Sequence, residues 1–167
     1  RTVGFNVALG LVIVLLLLAT SRVNYLLYHT LAEFFSIAVA WGLFTVSWNT
    51  KDISDNKALV FIGTAFLFLG ALDMVHTLSY KGMGILGLET GANLATQLWM
   101  AARFVESGTL LAFTFLLYKP VKEYKVFTIY SALSLLIMLS IFQWEVFPVC
   151  YVEGEGLTVF KKSSEYV

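Results

Sequence analysis

Five apolar runs of bilayer-spanning length alternate with short polar breaks along the chain. They extend from about Val3 to Thr20, Asn24 to Trp48, Ala58 to Tyr80, Asn93 to Tyr118 and Tyr124 to Phe147. About 20 apolar residues in a helix cross a hydrocarbon core roughly 30 Å thick, so each run is expected to be a transmembrane helix. Helices are also the conformation that satisfies every backbone polar group within one segment in lipid. The first run is featureless Leu, Val and Ile apart from Asn6 and reads as a lipid-facing helix, with no convincing cleavage site to mark it as a signal peptide. Pro120 and Pro148, the chain's two prolines, are expected just beyond the ends of the fourth and fifth helices.

Polar positions inside the runs are not scattered. At about 100° per residue, Glu33, Ser36, Ala40 and Ser47 fall within about 40° of His29, whereas Leu31, Phe34, Ala38, Trp41 and Thr45 lie roughly opposite. The small and polar stripe is expected to face protein and the bulky one lipid. In the third run Gly63, Gly70, Asp73 and Thr77 share a face, and the glycines permit close approach of a neighbouring backbone. Asp73 and His76 are i and i+3, near the end of a run whose preceding residues, Ala58 to Leu72, carry no charge. Trp99, Arg103 and Glu106 share a face of the fourth run; the fifth offers Ser131, Ser134, Ser140 and Gln143 and reads as supportive.

Composition agrees with this architecture. The chain has 167 residues, of which 59% are hydrophobic and 13% charged, and a mean hydropathy of +0.80. Soluble domains carry about 25% charged residues. The expected fold is therefore an all-α polytopic bundle forming one transmembrane domain over residues 1–167. A net charge of zero gives no basic face for nucleic acid. Cys150 stands alone, so no disulfide forms within the chain. The sequence begins with Arg1 and runs out after Lys161 to Val167 without a stop signal, so both ends are expected to continue in a longer protein. Arg1, Lys51, Lys57, Lys119, Lys122 and Lys125 fall on one side of the spans, and Arg22, Lys81, Lys161 and Lys162 on the other. By the positive-inside tendency the first group, and the N-terminus, are expected to be cytoplasmic.

With that orientation His29, Glu33, Asp73, His76 and Arg103 all land in the outer half of the membrane. At 1.5 Å per residue Glu33 is about 14 Å below Asn24, Arg103 about 15 Å below Asn93 and Asp73 about 10 Å below Tyr80. Ionisable residues within a span are costly, and their presence is by default a functional hypothesis. Glu33, Asp73 and Glu106 face one permanent cation, Arg103, so the balance requires protonated acids, charged histidines or a bound cation. His29, Glu33, Asp73 and His76 are the expected ligand set for a small ligand, a divalent transition metal or haem. Trp99, Arg103, Glu106, Tyr80 and Lys81 are expected around them.

The segments "HTLAEFFSIAVAWGLF" at 29–44, "LDMVHTLSYKGM" at 72–83 and "QLWMAARFVES" at 97–107 resemble the third family of membrane-associated sensor domains (MASE type three). The resemblance spreads over three helices and covers nearly the whole chain. It implies a sensory input module of a bacterial histidine kinase or diguanylate cyclase in the inner membrane, with further helices and a cytoplasmic output domain in the same polypeptide, and homodimerisation through that output. It names no ligand, and the chain itself contains no kinase or cyclase module and is not expected to be an enzyme.

Blander readings stand beside these. His29 and His76 can simply satisfy hydrogen bonds inside the bundle, Arg103 and Glu106 can form a structural ion pair, and Trp99 can be packing. The Gly82 to Gly91 stretch reads as an outer connection, and Lys51, Asp52, Asp55 and Lys57 as a solvated turn. The same polar set also suits a membrane metalloenzyme or a proton-coupled transporter, though no internal repeat supports the latter.

Overall fold

A computed structural model describes residues 2–53, 57–85 and 91–166. Among the positions singled out in the sequence, Arg1, Asp55 and residues 86–90 of the glycine-rich connection lie outside the described residues. The architecture is an all-α bundle. Five long helices, α1 (Thr2–Val23), α2 (Tyr25–Asn49), α3 (Lys57–Leu78), α4 (Ala92–Leu116) and α5 (Glu123–Phe142), are followed by a two-stranded hairpin, β1 (Tyr151–Val152) and β2 (Gly156–Leu157), and a short helix, α6 (Val159–Glu165). Helices α1, α2, α3 and α5 are long and apolar enough to cross a membrane. The fourth, α4, has 25 residues, about 37 Å of helix, but is less apolar because it carries the polar face of the site.

The centre of the bundle is α3, which packs against α2, α4 and α5. It is buried on almost every side, from Ala58 near its start to Thr77 near its end. Two apolar clusters hold it. Phe61 and Ala65 pack with Val126 and Tyr130 of α5, and Val75 contributes to a second cluster of Leu98, Ala101 and Ile141. The Tyr130 hydroxyl shares a 2.6 Å hydrogen bond with Thr109, which satisfies both groups in a buried setting.

Glycine sets the α2–α3 distance. A Cβ on Gly63 would lie 1.7 Å from Ser47 Oγ, and one on Gly70 would lie 2.7 Å from Trp41 Nε1. The expected close approach is therefore present at both glycines. Trp41 departs from the expected division: it is partly turned against α3, where its indole donates to Leu67 O at 3.3 Å. An indole N–H facing hydrocarbon alone would lack an acceptor, and the gap at Gly70 provides room to find one.

Helix α1 contributes nothing to the core. It touches α2 among the helices, and its Leu, Val and Ile side chains are exposed along its length, with Leu17 half-buried. A single extended residue, Asn24, separates it from α2 and caps the latter by accepting from Leu27 N at 3.1 Å.

The fifth helix is shorter than expected, ending at Phe142 instead of Phe147. Both Gln143 N and Trp144 N donate to Leu139 O, and Glu145 adopts φ 52°, a left-handed turn that carries the chain out of the helix. Trp144, Val146 and Phe147 are apolar enough to prolong the hydropathy signal beyond it. Pro148 consequently lies six residues beyond the helix, within the approach to the hairpin. The segment from Pro148 to Glu165 folds as a cap on the end of the bundle where α4 begins. Asn93 Oδ1 accepts from both Cys150 N (2.8 Å) and Tyr151 N (3.0 Å). Gln97 Nε2 donates to Phe147 O (2.9 Å) and Pro148 O (3.1 Å). Thr158 caps α6 by accepting from Lys161 N.

Candidate functional site

Three helices bring the intramembrane polar residues together, and the structure divides them into two groups. The first contains His29 and Glu33, one turn apart on α2, and His76, from the facing end of α3. One ring nitrogen of each histidine and one carboxylate oxygen of Glu33 lie within 4.8 Å of one another. His29 Nε2 is 3.8 Å from Glu33 Oε1. The imidazoles meet edge to face with centroids 5.5 Å apart, and Tyr80 stacks on His29 at 4.0 Å. His76 Nδ1 lies 2.8 Å from Ala95 O. A carbonyl can only accept, so Nδ1 carries the hydrogen. His29 Nδ1 and His76 Nε2 are then buried ring nitrogens without a hydrogen-bond partner.

The second group is built around Arg103. Its Nη2 reaches both carboxylate oxygens of Asp73 at 2.9 Å, and its Nη1 pairs with Glu106 one turn further along α4. Asp73 is nearly buried, with its side chain 11% exposed, and the forked guanidinium suits two acceptors at once. Asp73 and His76 both face α4, but the Asp73 carboxylate is taken by Arg103 whereas His76 meets the Ala95 carbonyl. Of the two acids nearest Arg103 in depth, Glu33 and Asp73, the guanidinium meets Asp73.

Two cavities follow this division. One, of about 310 Å³, lies among Glu33, Ser36, Asp73, Trp99, Arg103 and Glu106. The other, of about 330 Å³, is walled by Tyr25, His29, His76, Tyr80 and Trp99 and roofed by Leu157 and Lys161 of the cap. Trp99 lines both, so it stands where the acid–guanidinium network and the imidazole chamber meet.

Lys81, expected near the site, does line the imidazole chamber, and its ammonium is 3.3 Å from Glu153 of the cap. By sequence Lys161 is only a basic residue beyond the last span. In the fold it is 5% exposed, pairs with Glu165 and holds its ammonium 3.7 Å from the Trp99 ring centre. A desolvated cation over an indole is worth about 2 kcal/mol. A signal for this cap was present in Glu153-Gly154-Glu155-Gly156 between Tyr151-Val152 and Leu157, a turn-prone stretch whose two glycines both adopt φ 87°. Burial pushes the Cys150 thiol up to about 11, with Lys161 opposing the shift, so this cysteine is inert as a nucleophile near neutral pH.

The arrangement sets two histidines with unpartnered ring nitrogens on the wall of a chamber partly covered by the cap, with the Glu33 carboxylate beside them on the wall of the neighbouring cavity. Comparison with known families agrees with a sensory assignment: the profile of the membrane-associated sensor domain MASE3 matches residues 20–167, leaving most of α1 outside the match. No curated protein and no solved structure matches the chain.

Proposed function

Because the chain belongs to the membrane-associated sensor domain family MASE3, we propose that it receives its signal at the His29, Glu33 and His76 cluster and relays it to a cytoplasmic output domain of the same polypeptide. The observation that carries this reading is the pair of buried ring nitrogens left without partners beside a carboxylate, on histidines that line a chamber partly covered by the cap. A buried polar group that lacks a partner costs free energy, and a ligand that supplies one recovers it.

The cluster is also placed to move something. His29 and Glu33 sit on α2 and His76 on α3, and α3 packs in turn on α4 and α5. A ligand gripping both α2 and α3 would bind one arrangement of the two helices better than another, which is the condition for shifting an equilibrium. The output is a histidine kinase or diguanylate cyclase, active as a homodimer in the bacterial inner membrane, with the site toward the outer face. A transporter reading gains no support from α3 and α4, which run unbroken past the cluster.

The test is the output activity of the full-length protein carrying His29→Ala or His76→Ala, measured at equal abundance in the membrane. A shift of about fivefold or more is expected, the lower range of ordinary coupling between sites. Unchanged output in both variants would remove the cluster from signalling.

A further inference from the structure

We propose that the cluster is a three-ligand site for a divalent transition-metal ion, held by one ring nitrogen of His29, one of His76 and a carboxylate oxygen of Glu33, with Asp73 outside the coordination sphere. This rests on the sensory pocket proposed for the same residues and names what it takes.

The spacing is the first argument. Metal bonds of 2.0–2.2 Å from nitrogen and oxygen place neighbouring ligand atoms roughly 3–3.5 Å apart. The three candidate atoms already lie within 4.8 Å of one another, and the His29–Glu33 pair at 3.8 Å. The Glu33 side chain, 22% exposed, has room to rotate toward the histidines, and a small turn of the imidazoles brings their nitrogens to the same spacing. His76 is oriented as metal-binding histidines usually are, with its other ring nitrogen donating to a backbone carbonyl, that of Ala95. That bond fixes the tautomer and presents the Nε2 lone pair, which is buried and without a partner in a residue only 4% exposed.

Charge is the second argument. Arg103 is occupied by Asp73 through two hydrogen bonds and by Glu106 through a third contact. Glu33 shares a cavity with Asp73 and Arg103 but has no lysine or arginine within ion-pairing distance among the described residues; its ion-pair contact there is His29. A carboxylate in the low-dielectric bundle needs a cation or a proton, and an ion between it and two imidazoles is compensation that the sequence order of the helices brings to one place. Two histidines and one carboxylate suit zinc or iron(II). Three protein ligands also leave a coordination position open, as an exchangeable sensory site requires, and both histidines line the chamber beneath Lys161.

The experiment titrates the full-length protein, freed of any tag and stripped with chelator, with Co²⁺ as a spectroscopic probe, followed by displacement with Zn²⁺. One equivalent of Co²⁺ with visible d–d bands is expected. Glu33→Gln and His76→Ala should each weaken it about 100-fold or more, beyond the 10- to 100-fold typical of losing an outer partner; Asp73→Asn should change it less than about threefold. Should His76→Ala lose its helical signal, Glu33→Gln decides. Absence of Co²⁺ binding, binding that survives both ligand variants, or equal loss in Asp73→Asn would overturn the site. If Co²⁺ fails to bind while His76→Ala still alters output, the metal is wrong and the sensory pocket stands. If Co²⁺ binds through these ligands while output ignores both metal and variants, the metal site stands and the sensory reading falls.

Discussion

Arg103 decides how the acids of this bundle divide. By satisfying Asp73 with two hydrogen bonds and Glu106 with a third contact, it leaves Glu33 to the histidines. Replacing it by Leu strands two carboxylates in a low-dielectric interior, so Arg103→Leu is expected to lower stability by about 3 kcal/mol, the low end for a broken buried pair because the arginine side chain is 36% exposed. Denaturation in mixed micelles measures this, and Arg103→Leu with Asp73→Leu should recover much of the loss. A cost below about 1 kcal/mol would place the pair with ordinary surface bridges. The sequence alone placed Asp73, His76 and Arg103 at similar depth and on inward faces, since periodicity and rise per residue are properties of a single helix. It left open which base each acid meets. That choice depends on how far α4 is rotated relative to α3, and no spacing within one helix encodes it.

Among the elements, the cap departs furthest from what the sequence suggests. Hydropathy runs the fifth helix on through Trp144, Val146 and Phe147, whereas a left-handed Glu145 and the two amides converging on Leu139 O end it at Phe142. The cap is held to α4 by the Asn93 and Gln97 side chains, and so roofs the imidazole chamber. Asn93→Ala removes the acceptor of two backbone N–H groups at once and is expected to cost the cap about 2 kcal/mol. Hydrogen exchange at Cys150 and Tyr151 should accelerate at least about tenfold, with α5 unaffected. Equal protection in the variant would show that the cap is held by other contacts. The glycines of the hairpin and the Thr158 cap were local signals of structure, but two-residue strands and a short helix are too small to stand out from loop composition. Their stability comes from α4, which is distant in sequence.

Across the whole molecule the helices are unequal. The core forms around α3, with α2, α4 and α5 against it, and α1 stands outside. A chain of residues 20–167 is therefore expected to keep the helicity and thermal midpoint of its bundle in detergent; a fall of more than about 3 °C, roughly 1 kcal/mol for a domain of this size, would show that α1 supports the core. The sequence by itself determined that this is a multi-pass helical membrane protein and that a few ionisable residues share one depth. Hydrocarbon imposes helices of fixed length on the backbone and makes each buried charge conspicuous, so both facts are written locally. Only the tertiary structure decided that Glu33 joins the histidines, that Asp73 belongs to Arg103, and that Lys161 lies over Trp99. Those outcomes depend on the close approach allowed at Gly63 and Gly70, on the rotation of α4, and on a cap folded back from the far end of the chain. Contacts between segments that far apart arise from packing, and packing is a property of the assembled bundle.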